Sequence, residues 1–534
     1  MTNKSSFVKQ AAILATASVI VRIIGFTYRI PLINMVGDVG NALYTTAYAA
    51  YAFAIIISSG AMPAAISKLV SERVAVGRYR DAHEMFKNAL VAVAILGATV
   101  GLIMALGANW FTSLRFYNYP GAVYAIRALA PTIFVVALLA VFRGYFQGMN
   151  TMMPTAFSQV IEQIFNAVFS IWLAHIFFRS MNVEHAAAGA AAGTGIGAVV
   201  GLLVVFGIYM LVAGDIRERA ARNARNMKKG SGERREAQLK ALGATALPII
   251  VSMGIYQIAT LIDLGMASYR IMAPGVFTAD QVEEMVGQFT GKFILLTVLP
   301  VSLSVALSQA VIPDISSAKA TMDRAAVKRK INTALRISMA LSIPAAVGLS
   351  VMADPILALL FPNHPQGGWL LRYGAISVIF LALVQVSSGA LQGIGKVMLP
   401  VVAAFFGVFI KIPLNWYLLA VPGINIMGAV ISTIVCYVIA AIINLYFLYK
   451  YTGVLPDYVR AFIKPTFSAA GMGMACFVVY HMVGLGAPDR VATMIALLIA
   501  APVYMILMWL IGGFLKQDIE AMPLPKAVRK WFYY

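Results

Sequence analysis

Apolar runs follow one another along this chain from position 10 to position 515 with only short interruptions. Each is about the 20 residues that an α-helix needs to cross a hydrocarbon core of roughly 30 Å. In lipid no water is at hand to satisfy the backbone, so each run must close its own hydrogen bonds as a helix. Of the 534 residues 61% are apolar and 12% charged, and the mean hydropathy is +0.83. No soluble domain of this size could hide so much apolar surface, and the interruptions leave no room for a separate one. Cys436 and Cys476 stand singly inside apolar runs, which argues against a disulfide framework, a thiolate metal site or redox chemistry. The run at 11–21 follows Lys4 and Lys9 as a secretion signal would. It continues through Arg22 to Ile33 without a small-residue cleavage site, and reads as a retained first helix.

Periodicity and Gly/Pro punctuation predict about fourteen helices, near 10–33, 43–68, 88–109, 123–146, 154–178, 187–212, 243–268, 289–312, 332–353, 371–392, 399–421, 426–449, 463–484 and 491–514. With the N-terminus in the cytoplasm, the loop 68–87, the segment 217–240, the loop 319–330 and the C-terminal tail all fall inside. These four hold most of the lysines and arginines. The alternate loops carry little positive charge: Asp38 in the first, Arg115 in the second, Arg179 in the third, then Arg270 with Asp280, Glu283 and Glu284. Both termini are therefore expected in the cytoplasm. The net charge of +20 is mostly this bias rather than a nucleic-acid surface. The 217–240 segment mixes Glu218, Glu233 and Glu236 with its bases and reads as a solvated helical connector that touches anionic membrane lipid.

Two segments about 245 residues apart read alike: Arg143-Gly144-Tyr145-Phe146-Gln147-Gly148 before Pro154, and Ser388-Gly389-Ala390-Leu391-Gln392-Gly393 before Pro400. Earlier in each half, Pro63 in Gly60-Ala61-Met62-Pro63-Ala64-Ala65-Ile66-Ser67 pairs with Pro313 in Ala310-Val311-Ile312-Pro313-Asp314-Ile315-Ser316-Ser317, at an offset near 250. Six helices separate corresponding elements, an even number, so the halves enter the membrane in the same sense. The expected fold is an all-α membrane protein: two six-helix lobes related by a pseudo-two-fold parallel repeat, plus two C-terminal helices. The lobes are placed at 1–240, which includes the basic connector, and 241–455, with helices thirteen and fourteen and a cytoplasmic tail at 456–534. Repeats of this kind set a substrate site between lobes that can rock.

An ionisable side chain at mid-bilayer costs roughly 2.5–3.5 kcal/mol on insertion scales, so each one kept needs a partner, an aqueous cavity or a task. Arg22 and Arg29 lie seven residues apart on one face of the first helix, with Gly25 between them to allow close approach. Lys292 and Lys411 stand inside later helices. Together the four are candidate lining of a cationic cavity, while Arg127 and Arg143, near helix ends, read as snorkelling. On the acidic side Glu162 shares its helix face with Gln159 and Asn166, and Asp263 shares its face with Tyr256 and Thr260. These are candidates for counter-ions or for binding a coupling ion, H+ or Na+.

Catalytic constellations are absent from the sequence. Gly395-Lys396 is followed by Val397 and Gly291-Lys292 by Phe293, so no ATP-binding loop is formed. The histidines His83, His175, His185, His364 and His481 lack metal-ligand spacing. No metal or cofactor is expected, and the chain reads as a transporter whose energy comes from gradients or partners, not as an enzyme. Arginine and lysine hold phosphates through charge-assisted hydrogen bonds, so the expected cargo is anionic.

The stretches Arg22-Ile23-Ile24-Gly25-Phe26, 37–44, Pro63-Ala64-Ala65-Ile66-Ser67-Lys68-Leu69-Val70-Ser71-Glu72, Arg143-Gly144-Tyr145-Phe146-Gln147-Gly148, Pro154-Thr155-Ala156 and Gln159-Val160-Ile161-Glu162-Gln163 resemble the stage V sporulation protein B group of polysaccharide-biosynthesis membrane proteins. That group belongs to the multidrug/oligosaccharidyl-lipid/polysaccharide exporter superfamily. The resemblance extends through 411–415 and Gly428-Ala429, and within the group it is nearest to lipid II flippases. It implies alternating access in a bacterial plasma membrane and translocation of undecaprenyl-pyrophosphate-linked sugars for peptidoglycan or polysaccharide synthesis, with cell-wall synthesis enzymes as partners. By that likeness Arg22 and Lys292 contact the head group, Glu162 and Asp263 are central polar residues, and Lys411 is a polar residue of the second lobe. The group often carries Arg four residues after the glutamate. Here that position is Asn166, so Glu162 lacks an i, i+4 partner. Cation-coupled export of drugs and a membrane enzyme acting on lipid-linked sugars are the alternatives. Acidic residues should dominate the cavity for the first, and a polar catalytic loop is needed for the second.

Overall fold

The computed structural model describes residues 4–114, 117–226 and 233–513. Arg115, the 227–232 part of the connector and the 514–534 tail lie outside the described residues, as do the side chains of Arg217, Tyr256, Ala310, Pro313 and Asp314. The protein is 88% helix, with no strand among the described residues. Among those residues eleven helices are long and apolar enough to cross a membrane, or twelve if the bent pair Gly368–Gly374 and Ser377–Gly393, 51° apart, counts as one span. The chain divides into two compact units, Met1–Tyr269 and Arg270–Tyr534.

The first unit holds α1 (Lys4–Ile55), α2 (Met62–Ala75), α3 (Tyr79–Ser113), α4 (Val123–Gly148), α5 (Met153–Ser180), α6 (Val183–Asn226) and most of α7 (Arg235–Met272). α1 runs through the positions expected to form the first outer loop. Inside it Gly37 alone leaves the helical region, at φ 71° and ψ −175°. That conformation is open to glycine and strained for any residue bearing a Cβ. The helices expected at 10–33 and 43–68 therefore meet at a kink, and Asp38 beside it is buried instead of looped out. Gly37→Ala is expected to cost about 1–3 kcal/mol, seen as a lower Tm of the detergent-solubilised protein. An unchanged Tm would remove the strain from the account. The π-helical turn Ile56–Gly60 leads into α2, whose first turn accepts Pro63 because N–H groups there need no helical partner.

α4 is the central helix of this unit and packs on α2, α3 and α6. Its aromatic side chains knit the unit together: the Tyr145 ring lies 4.4 Å from Phe86, and Phe142 lies 5.4 Å from Tyr209. Small residues let backbones touch where helices meet in a membrane. A Cβ on Gly144 would stand 3.0 Å from the Pro63 carbonyl oxygen, and one on Gly148 would stand 2.9 Å from that of Ser67. Along α6, Gly189, Gly193, Gly197 and Gly201 recur every four residues and seat α5, with Leu173, Ser170, Asn166 and Glu162 pressed against them in turn. At the turn between α3 and α4 the Tyr117 hydroxyl donates to the Thr46 carbonyl at 3.1 Å, and burial pushes its phenol above the ordinary range.

The second unit holds α8 (Ala279–Gln288), α9 (Leu295–Ala320), α10 (Arg324–Val351), α11 (Ala353–Leu360), α12 (Gly368–Gly374), α13 (Ser377–Gly393), α14 (Met398–Leu418), α15 (Met427–Thr452), α16 (Lys464–Gly484) and α17 (Asp489–Leu510). The acidic stretch expected as an outer loop is the helix α8. Thr278 and Gln281 close a capping box there: Thr278 Oγ1 accepts from the Gln281 N–H at 3.4 Å, and Gln281 Oε1 accepts from the Thr278 N–H at 3.0 Å. The π-helical turn Phe289–Ile294 joins α8 to α9. α13 packs on α9, α10 and α15. A Cβ on Gly389 would stand 2.8 Å from the Ser308 carbonyl oxygen, and one on Gly393 would stand 3.2 Å from that of Ile312. Three buried hydroxyls satisfy one another across α9 and α10: Ser338 donates to Ser304 at 2.8 Å, and Ser304 and Ser342 are 3.3 Å apart. α16 and α17 pack together, and the Tyr504 hydroxyl of α17 donates to the Ala340 carbonyl of α10 at 2.8 Å.

Candidate functional site

In the first unit Arg22, Gly25 and Arg29 share one side of α1, which packs on α4 and α5. Gly25 lies against α5, since a Cβ there would lie 3.2 Å from Gln163 Nε2. Arg22 is exposed and Arg29 half-buried. The Arg29 guanidinium stands 5.7 Å from the Tyr44 ring centroid, within the range of a cation–π attraction. Tyr44 belongs to a run of tyrosines that the sequence reading passed over. The Tyr28 and Tyr44 hydroxyls are 3.4 Å apart, and Tyr48 continues the ring contacts to Tyr44 at 6.0 Å and to Tyr51 at 5.5 Å. Tyrosines at 44, 48 and 51 repeat at helical spacing, and that was the signal available to find them.

Glu162 does have a partner, supplied by the neighbouring helix. Arg143 Nη2 donates to Glu162 Oε2 at 2.6 Å, and Arg143 Nε donates to Ser158 Oγ at 3.0 Å. Arg143 is thus an ion-pair partner inside the unit instead of a snorkelling residue. The α4–α5 turn folds the two helices antiparallel and brings residues 19 apart face to face. Asn166 looks into the α5–α6 seam, where its Oδ1 accepts from Ser170 Oγ at 2.9 Å and Thr194 Oγ1 at 3.3 Å. Gln159 is half-buried and Asp263 of α7 is buried. Of the central polar set, the structure therefore places Glu162 and Asn166 against α4 and α6, while Tyr256 lies outside the described side chains.

The cations of the second unit are enclosed. Lys292, in the π-helical turn, is 1% exposed, and its Nζ donates to the Gln366 carbonyl at 2.9 Å. Lys411 is buried on the same α14 face as Gly407 and Asn415, and that face packs on α15. There Asn415 Oδ1 accepts from Ser432 Oγ, and a Cβ on Gly407 would meet the Cys436 carbonyl oxygen at 2.7 Å. The connector is less solvated than expected where it enters α7. Glu233 pairs with Arg73 of α2 and lies 3.6 Å from Arg78, which also holds buried Asp81 at 2.7 Å. Among the described residues no group of three His, Cys, Asp or Glu side chains is arranged to hold a metal ion.

Lipid II flippase MurJ of Bacillus subtilis (strain 168) is 28% identical over 479 residues, covering 84% of each chain. Stage V sporulation protein B of the same strain is 25% identical over 538 residues, covering 98% of each. Among solved structures, lipid II flippase MurJ in an inward closed conformation matches with a TM-score of 0.69 at 16% identity, over 94% of this chain and 98% of that one, which shows the shared fold. The sequence model of the family described as lipid II flippase MurJ matches residues 38–488, a span that includes Glu162, Asp263, Lys292 and Lys411 and begins after Arg22 and Arg29. With most of its length inside that match, the chain belongs to the lipid II flippase MurJ family.

Proposed function

We propose that this protein carries lipid II from the cytoplasmic to the outer leaflet of a bacterial plasma membrane by alternating access, as a transporter that makes and breaks no covalent bond. Family membership supports the cargo. The observation that carries the head-group assignment is the α1 face, where Arg22 and Arg29 flank the Gly25 contact with α5 in the middle of an apolar helix. A pyrophosphate is the ligand that such a pair of guanidinium groups suits. Lys292 and Lys411 are the cations that the second unit offers. With the interior negative, outward passage of each negative charge is favoured by about 2.3 kcal/mol per 100 mV. Membrane potential is therefore the proposed driving force, with Glu162 and Asp263 as the residues to test for H+ or Na+ coupling.

The same reading includes about fourteen crossings in two six-helix lobes, with both termini cytoplasmic and cell-wall synthesis enzymes consuming the product outside. The glycine contacts support the repeat. Gly144 and Gly148 meet Pro63 and Ser67, while Gly389 and Gly393 meet Ser308 and Ile312, so both helix pairs keep one offset of 245. The Pro63–Pro313 likeness, at 250, is not the alignment these contacts follow.

The test is a head-group accessibility assay in proteoliposomes with lipid II and with teichoic and capsular precursors. Arg22→Ala is expected to slow lipid II translocation by at least about tenfold, as loss of one charge-assisted contact implies. Wild-type rates in that variant, or equal translocation of all three precursors, would overturn the assignment.

A further inference from the structure

A lysine buried to 1% exposure needs a reason, because an ammonium withdrawn from water must be repaid by acceptors in place. One acceptor that Lys292 reaches is a backbone carbonyl 74 residues further along, that of Gln366. Gln366 lies in the loop Phe361-Pro362-Asn363-His364-Pro365-Gln366-Gly367 between α11 and α12. Pro362, Asn363, Pro365 and Gln366 are exposed and His364 half-buried, while the two ends, Phe361 and Gly367, are buried. Gly367 has φ 99°, and a Cβ there would lie 3.2 Å from the Gln288 side chain, in the turn just before the π-helical stretch. The same stretch presents Phe293 against Gly374 at the end of α12. Extra residues in a π-helical turn re-aim side chains without breaking the helix. Here they aim an amine and a ring at one loop and at the short helix after it. α12 is the minor arm of the bent pair with α13.

We propose that Lys292 is the latch of the 361–367 loop, and that an anionic head group opens it by competing with the Gln366 carbonyl for the amine. The competition rests on the lipid II reading given above; the latch itself does not. A phosphate oxygen carries formal charge and a carbonyl only a dipole, so an arriving pyrophosphate is the stronger acceptor for the ammonium. Once the amine turns to it, the loop loses that tie to the π-helical turn and keeps its backbone bonds, such as the His364 N–H to the Phe361 carbonyl at 3.0 Å, and its packing at Phe361 and Gly367. Release removes one restraint on the angle between α12 and α13, while α12 stays tied through Arg372 to Asp354 and to Ser350. Cargo binding is thereby reported to the bent span through the Lys292–Gln366 hydrogen bond.

Amide hydrogen exchange on the whole protein in nanodiscs tests both parts. Without ligand, Lys292→Met is expected to speed exchange of the 361–369 amides about tenfold or more, the factor that a charge-assisted hydrogen bond commonly carries, with α16 and α17 unchanged as a control for folding. Gly367→Ala loosens the same loop with the amine intact and is expected to do likewise, which covers the case in which Lys292→Met does not fold. In wild type, lipid II is expected to speed exchange of the same amides and to have no further effect on Lys292→Met. A ligand-free wild-type rate in folded Lys292→Met would overturn the latch whatever Gly367→Ala does, and where Lys292→Met does not fold, a wild-type rate in Gly367→Ala would overturn it. Faster exchange in the variants combined with no response of wild type to bound lipid II would overturn the competition. If wild type does not bind lipid II at all, the cargo assignment fails while the ligand-free comparison still decides the latch.

Discussion

Arg143→Met is expected to destabilise the protein by about 3 kcal/mol, the low end of the cost of stranding one partner of a buried ion pair. The low end applies because the Glu162 side chain keeps 26% exposure against 13% for Arg143. Removing the arginine leaves a carboxylate among α4, α5 and α6 without the guanidinium that Arg143 held against it. Glu162→Met alone strands the guanidinium in the same way. The double variant removes both charges, and methionine fills similar volume, so it is expected to return to within about 1 kcal/mol of the parent. Thermal unfolding in one detergent, run as a double-mutant cycle, measures the coupling. Additive losses would mean that the pair does not stabilise the unit. The same cycle run as a translocation assay separates roles: if Glu162 serves coupling, the double variant recovers stability and stays slow.

The second large effect is expected from a methyl group. Gly193→Ala places a Cβ onto the backbone nitrogen and Cα of Ser170, where α5 and α6 are in direct backbone contact. No rotamer change can relieve a clash with backbone, so the helices must part. Parting them also weakens the bond from Ser170 Oγ to the Ala190 carbonyl, 2.8 Å long, and the one from Thr194 Oγ1 to Asn166 Oδ1 at 3.3 Å. A loss at or above the upper end of the roughly 1–3 kcal/mol typical of overpacking follows. Gly207→Ala on the same helix is the control, because nothing lies within 4 Å of a Cβ there. It should be neutral, or stabilising by up to about 1 kcal/mol through helix propensity. Equal Tm values for the two variants would show that the seam yields more readily than its geometry implies.

Much of this was legible in the sequence, and the parts that were not share a cause. Apolar runs of span length announce helices because the bilayer admits little else. Residues 34–42 read as a loop because two glycines and an aspartate punctuate them, yet the two helices meet there at a sharp kink, with Gly37 alone outside the helical region. The α8 capping box, Thr278 to Gln281, was present in the sequence beneath an acidic stretch that looked like loop. Arg143 and Glu162 each looked singly charged within an apolar helix. Their pairing depends on the fold-back between α4 and α5, a property of topology that spacing along one helix does not carry. Lys292 was visible as a cation out of place, and the carbonyl that holds it comes from a distant loop. Local periodicity sees faces of helices, whereas partners belong to the packing between them.

The glycine seams restrict how this molecule can move. Where Gly144 and Gly148 ride on the carbonyls of Pro63 and Ser67, and Gly389 and Gly393 on those of Ser308 and Ile312, the side chains of Ile66, Val70 and Ile315 wedge in beside them and leave no slack. Sliding by one residue would drive a side chain into a peptide group. α2 must therefore travel with α4 as one stiff plank, and α9 with α13 as another, so the deformation of a transport cycle falls on joints outside these planks.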